Sequence, residues 1–348
     1  MRFQLSRFQH ELSSAVAASG EVHHQRTHLL LQVWHEGVSG YGELSPQPHA
    51  LNGDPSYAEV EIELESLLRS VLGAHEREGS VPHWSRISRF QGSRASSAPA
   101  ALLVEMALLD WHLRREARPL ASEWAPQFAP GTMETRSALG TNWVPLGPET
   151  VQLRVKLART PLEQHVIERI RQSGCPVLLD YNCVGPTTEE IQSHLSSLEG
   201  VAIVAVEQPY APGNVVDHAL LAQALSVPVS LDEGVRSRRD LDHIARYDAA
   251  TLVCLKPARL GGYSVARSCA DHARGLGLVP YIGGFFEDVL GRAVNRTLAR
   301  ASVSAASDLG DPTFVSAQDW QPDDVGFGWV PGPAFVHEVI GTFGAVGE

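Results

Sequence analysis

The chain has 348 residues, 43% of them hydrophobic and 20% charged, with a formal net charge of −12 at pH 7. That is enough apolar surface for a large core, and the acidic balance argues against nucleic acid or an anionic membrane as a partner. No apolar run approaches the ~20 residues that span a bilayer, and the opening MRFQLSRFQHELSS lacks the hydrophobic stretch of a signal peptide, so a cytoplasmic location is expected.

In chain order, Val22–His28 (VHHQRTH) reads as a polar turn ahead of a strand; it lacks the second half of any zinc-ligand pattern. Thr27–Ser45 reads as a β-hairpin turning at Glu36 and Gly37, and Ser56–Gly73 carries a helical apolar period. SSAPAALLVEMALLDWHLRREARPL reads as a strong helix with Ser97 as N-cap, Pro99 in the first turn and basic residues near its end. Glu105 and Asp110 on that helix read as interface or surface charges. This order makes residues 1–125 a small α+β domain.

From about Ser137 to Asp308 short strands alternate with helical segments. PVLLDYN, VAIVAVEQP, VPVSLDEG, ATLVCLKP and LVPYIGG are apolar runs ending in polar residues or glycine. A period of about 25 residues implies parallel strands with crossover helices, and continuous apolar strands imply burial on both faces. A (β/α) barrel and an open sheet both satisfy the pattern. Between RSALG, read as the first strand, and LRVKL lie only twelve residues. A helical crossover does not fit there, so the first barrel helix is expected to be missing. The barrel takes residues 135–317, and the Gly-, Pro- and Trp-rich segment 318–348 is expected to fold back on the N-terminal domain. The four cysteines have no CxxC spacing and read as reduced and buried.

The strand ends decide the architecture. Asp180, Glu207, Asp232 and Lys256 each close a strand, at spacings of 27, 25 and 24 residues, and Lys156 lies 24 residues before Asp180. In a barrel such positions meet at one mouth. Three carboxylates crowded together raise one another's pKa unless a cation joins them, and hard oxygen donors on rigid strands suit Mg²⁺. Arg154 and Lys156 point the same way on their strand. A lysine crowded by a metal and a second cation is expected to have a lowered pKa and to serve as base. A cation beside a carboxylate substrate would stabilise the enolate left when the α-proton departs. Gly283 and Gly284 read as bare backbone that a carboxylate can approach, and Glu287 reads equally as a ligand-side acid or a structural one.

With these residues in place the chain resembles the enolase superfamily, in its muconate-lactonizing subgroup, over most of its length. The matching motifs are Arg154-Val155-Lys156 for KxK, Asp180-Tyr181-Asn182 for DxN, Glu207–Pro209 for EQP, Asp232-Glu233 for DE, and Lys256–Gly262 for KxxRxGG. The segment GGFFEDVLGRA is similar to the GGMLESGIGRA pattern of o-succinylbenzoate synthases and N-acylamino acid racemases. The resemblance implies a modified TIM-type barrel with an α+β capping domain. It implies Mg²⁺, with Mn²⁺ as an alternative, on Asp180, Glu207 and Asp232, Lys156 as base and Lys256 as opposing acid/base or enolate-stabilising cation.

Substrate contacts would come from Arg154, Asn182, Gly283, Gly284 and Phe285. A loop over the mouth, here Ser13–Arg26, is also implied, with Arg26 more simply a surface residue. The implied activity is o-succinylbenzoate synthesis, a dehydration in menaquinone formation, and/or N-acylamino acid racemisation on a small carboxylate, in a homo-oligomer. A dipeptide epimerase or cycloisomerase follows, then an inactive barrel that binds a small acid or a protein. Four departures stand out: Arg154 for lysine, Phe285-Phe286 for Met-Leu, Asp288 for a small hydroxyl residue, and the shortened first connection.

Overall fold

The computed structural model describes residues 1–18, 21–92, 94–129, 131–138, 146–147, 150–309 and 319–344, with the backbone alone at 10–18, 21–23 and 137. Strands β1 (Arg2–Ala18), β2 (Glu21–His35) and β3 (Val38–Leu44) pair antiparallel in that order. The β2–β3 turn falls on Glu36 (φ 50) and Gly37 (φ 75), the left-handed pair that a two-residue hairpin needs to match strand twist. Val22–His28 is not a turn: Val22 pairs with Ala17 and Arg26 with His10, so the segment belongs to β2. The same ladder takes up the described part of Ser13–Arg26, expected as a loop. Backbone pairing of two long strands outweighs the polar composition that suggested a turn.

Helix α1 (Tyr57–Glu78) opens on a capping box: Ser56 Oγ accepts from Glu59 N while the Glu59 carboxylate accepts from Ser56 N. Helix α2 (Ser97–Arg115) packs against β3 on one side and against barrel helices on the other, which is why nearly its whole length is buried, Glu105 and Asp110 included. A short α3 (Leu120–Glu123) follows.

The rest is built from β4 (Thr132–Ser137), β5 (Thr150–Lys156), α4 (Gln164–Ser173), β6 (Val177–Asp180), α5 (Thr188–Ser197), β7 (Ile203–Glu207), α6 (Val215–Ala224), β8 (Val229–Leu231), α7 (Arg238–Arg246), β9 (Leu252–Leu255), α8 (Pro257–Leu260), α9 (Tyr263–Gly275), β10 (Val279–Ile282) and α10 (Val289–Ser302). Seven parallel strands, β4 to β10, neighbour one another in chain order. The curl closes through two residues: Thr132 bridges to Ser307 and Gly283 to Asp308, with Ser307 N donating to Gly131 O and Asp308 N to Ile282 O. Ser307-Asp308 thus takes the place of an eighth strand. The first barrel strand starts at Thr132, four residues before the expected RSALG, because Met133 N reaches the closing segment at Ser307 O. The helix expected to be missing falls on Thr141–Gln152; Thr150–Gln152 belong to β5, and most of the remainder lies outside the described residues.

After the barrel come β11 (Trp320–Pro322), β12 (Trp329–Pro331) and β13 (Glu338–Gly344). β11 and β12 pair with each other, and β13 pairs with β1, from Arg2↔Gly344 to Arg7↔Glu338. All four cysteines are free; Cys254 and Cys269 are buried, Cys175 and Cys183 half-buried. Among the described residues no helix is long and apolar enough to cross a membrane.

Candidate active site

The register of the parallel sheet sets the site. Lys156 pairs with Asp180 and Asp180 with Glu207, so three ionisable groups on three strands stand at one level. Asp232 follows β8 and Lys256 follows β9, where it becomes the residue before α8, a four-residue helix opened by Pro257 and stopped by Gly261. The strands are apolar because helices cover the outside of the barrel, which leaves their carboxyl ends as the natural place for polar groups. Asp180, Glu207 and Asp232 are wholly buried. Burial pushes the Glu207 carboxyl well up, with Asp180 and Asp232 adding to it and Arg154 opposing; a cation between the three relieves that crowding.

The two lysines face different partners. Lys156 Nζ donates to Asn182 Oδ1 at 2.8 Å and lies 3.6 Å from Asp180 Oδ2. Lys256 Nζ lies 2.9 Å from Asp232 Oδ2 and 4.5 Å from the centre of the Phe285 ring. Burial pushes the Lys256 pKa down and Asp232 pushes it up, and the net result holds the ammonium above the ordinary lysine range.

Arg154 is buried among carboxylates. Its Nη2 lies 2.8 Å from Asp180 Oδ2, 3.4 Å from Asp232 Oδ2 and in short contact with Glu207 Oε1, while Nη1 is in short contact with Asp308. The three carboxylates expected to bind metal therefore converge on one cationic point, which the guanidinium fills. Burial works against that charge, but four carboxylates more than offset it. As they stand, no group of three or more His, Cys, Asp or Glu among the described residues is set to hold a metal ion. The donor set and its convergence on a cation nevertheless fit a hard divalent ion.

Asn182 (φ 42) joins the site to its surroundings: its N–H donates to Asp180 Oδ1, its Oδ1 accepts from Lys156, and its carbonyl accepts from Asn52 Nδ2. Gly283 N donates to Leu255 O and Gly284 N to Asp308 O, so these N–H groups serve the sheet. Phe285 lies under Lys256 and Arg259 and helps line a cleft with Ser45, Gln47, Asp54 and Arg236. Glu287 accepts from Phe285 N at 2.9 Å and is buried. Arg26, expected at the surface, is buried: it donates to Ser45 O, Pro46 O and Phe285 O, and burial pushes its pKa down to about 10.

Four residues join the site beyond those read from sequence. Arg259 Nη1 lies 2.7 Å from Asp232 Oδ1 and its other nitrogens grip Asp54. Gln208 Oε1 accepts from Asp232 N and Gly234 N, fixing the backbone after β8. Tyr281 donates to Glu207 Oε2 at 2.7 Å. Asp308 holds Arg154 and accepts from Thr135 Oγ1 at 2.9 Å. It lies 25 residues after Gly283, so the strand spacing itself points to it.

Residues 147–327 match the family described as Enolase C-terminal domain-like. The chain is 27% identical to an Amycolatopsis protein named N-succinylamino acid racemase, over 97% of this chain and 96% of the relative. It is 25% identical to a Listeria innocua protein named o-succinylbenzoate synthase, over 92% and 86% respectively. Among solved structures, an N-succinyl Arg/Lys racemase from Bacillus cereus superposes with a TM-score of 0.77 at 16% identity, over 98% of each chain.

Proposed function

The chain belongs to the Enolase C-terminal domain-like family of enzymes, and on that premise we propose that it removes a proton α to a carboxylate and stabilises the enolate that results. The reading takes o-succinylbenzoate synthesis and/or N-acylamino acid racemisation as the reaction, a small carboxylate as the partner and the cytoplasm as the location. Residues 1–125 with 318–348 form the cap in this reading, and 135–317 the barrel. The observation that carries it is the register that aligns Lys156, Asp180 and Glu207, with Lys256 facing them from two strands further round.

Asp180, Glu207 and Asp232 would hold Mg²⁺, with Mn²⁺ as an alternative. When bound, the cation supplies positive charge against which the enolate's negative charge is balanced. Lys156, oriented by Asn182, takes the α-proton. In the dehydration the C–H electron pair becomes the new double bond as the β-hydroxyl leaves, and the proton held on Lys156 completes the water. In the racemisation Lys256, kept as an ammonium by Asp232, returns a proton to the opposite face. Phe285 and the cleft beside it would bound the substrate's far end.

Two assays test this with Mg²⁺ present: ultraviolet loss of the cyclohexadiene precursor of o-succinylbenzoate, and α-proton exchange of N-succinyl amino acids in D₂O. The native chain should turn over at least one, and Lys156→Ala should lower the rate by about 10²–10⁴-fold, the usual contribution of a general base. A native chain silent in both would remove the substrate assignment; an undiminished Lys156→Ala would remove the base.

A further inference from the structure

One nitrogen of Arg154 lies within 3.4 Å of a carboxylate oxygen from each of Asp180, Glu207 and Asp232. A point shared by acidic oxygens from three strands is where a cation bound by all three would sit, and here the chain's own cation fills it. The side chain is 2% exposed. The guanidinium fits imperfectly: its Nε has no hydrogen-bond partner, and Asp180 Oδ2, though 2.8 Å from Nη2, makes no hydrogen bond. A planar fork suits one or two carboxylates in its own plane, whereas three convergent ones suit a charge without direction. A second anchor exists: Nη1 is held by Asp308, itself fixed by Thr135, outside the group of three.

We propose that Arg154 is a displaceable internal cation, filling the place between Asp180, Glu207 and Asp232 until a divalent ion enters and withdrawing toward Asp308 when it does. The inference rests on reading those three carboxylates as a divalent-cation site, and adds that guanidinium and metal exclude each other. Two consequences follow from the contacts. Metal binding in the native chain must work against the guanidinium, and the metal-free chain is already charge-compensated. Lysine at 154 would keep the charge but be one bond shorter and lack the second nitrogen that reaches Asp308.

Binding of Mn²⁺, read from the electron paramagnetic resonance of the free ion, separates the cases in the native chain, Arg154→Lys and Arg154→Met. The expected result is binding at least about 10-fold tighter in Arg154→Lys than in the native chain, about 1.4 kcal/mol, since charge is kept and only occupancy changes. Thermal unfolding gives a second readout. EDTA should lower the native midpoint less than that of Arg154→Met, which should recover with Mn²⁺. Should Arg154→Met fail to fold, the lysine variant carries the comparison. Equal binding in native and Arg154→Lys, with only Arg154→Met tighter, would reduce the effect to charge and overturn the exclusion. No binding in any folded variant would instead remove the metal reading of the three carboxylates, and the inference with it.

Discussion

Gly283 follows β10 and lies against Cys254 and Lys256. A Cβ there would lie 2.5 Å from Cys254 Sγ and 3.0 Å from Lys256 Cε, so only bare backbone lets the lysine run straight to Asp232. Gly283→Ala should cost about 1–3 kcal/mol through overpacking and lower turnover by displacing the ammonium. Adding Cys254→Ala, which removes the nearer obstacle, should recover part of the stability; urea unfolding of the two variants checks this, and an additive double mutant would refute the contact. At this scale the sequence is informative where periodicity repeats. Lys156, Asp180, Glu207, Asp232 and Lys256 follow from one strand per 24 to 27 residues. Asp308 keeps the same spacing but closes no apolar run, and Tyr281 looks like an ordinary core aromatic until its hydroxyl is seen at Glu207. Arg154 shows the limit most plainly: alternation gives the direction in which a side chain points, but not how far it reaches or which anions converge on it.

Helix α2 is legible as an element and misleading as a surface. Its apolar residues leave Glu105 and Asp110 no solvent face once β3 packs on one side and the barrel helices on the other. Glu105 accepts from Ser264 N and Oγ at the start of α9, beside Gly262 (φ +148), where a Cβ would collide with the carboxylate. Burial pushes the Glu105 pKa up to about 7 from 4.5, with the Ser264 hydrogen bonds opposing. The folded state therefore binds this proton more tightly than the unfolded chain. Its contribution is full below about pH 4.5 and is lost as pH rises through about 7, by about 3 kcal/mol. Glu105→Gln should flatten that window: the native midpoint should fall relative to the variant between pH 5 and 7.5, and parallel profiles would rule the effect out. The strand–helix alternation from β6 to β10 was equally readable, because each strand is an apolar run with a marked end. The reach of β1 and β2, the start of β4 and the two-residue closure were not, since backbone pairing sets them and carries little side-chain pattern.

Across the whole molecule, the segment after β3 is tied to the barrel mouth by ion pairs. Asp54 lies 2.7 Å from Arg259 and 3.1 Å from Arg236, and Arg236 also donates to Asn52 O. Arg259 reaches Asp232 as well, so one guanidinium links the covering segment to the carboxylates beneath it. Burial pushes the Asp54 pKa up, but Arg259, with Arg236 and Lys256, more than offsets it and holds the carboxyl below its ordinary value. Asp54→Asn would leave Arg259 buried with half its partners, at a cost of about 3–5 kcal/mol. Loss of stability together with turnover is expected; a variant as stable as the native chain would show the segment is not held this way. Nothing in the sequence pattern points to this tie, because Asp54 lies between the hairpin and α1, outside every periodic run and motif.

The pairing of β13 with β1 has a consequence in time rather than in space. In synthesis β1 leaves the ribosome long before β13, and its outer edge has no covering strand until Glu338–Gly344 follows it out. Until then that edge is a template on which strands of neighbouring nascent chains can pair. Elongation speed thus sets how long the hazard lasts, and a ribosome that halts before Glu338 makes it permanent.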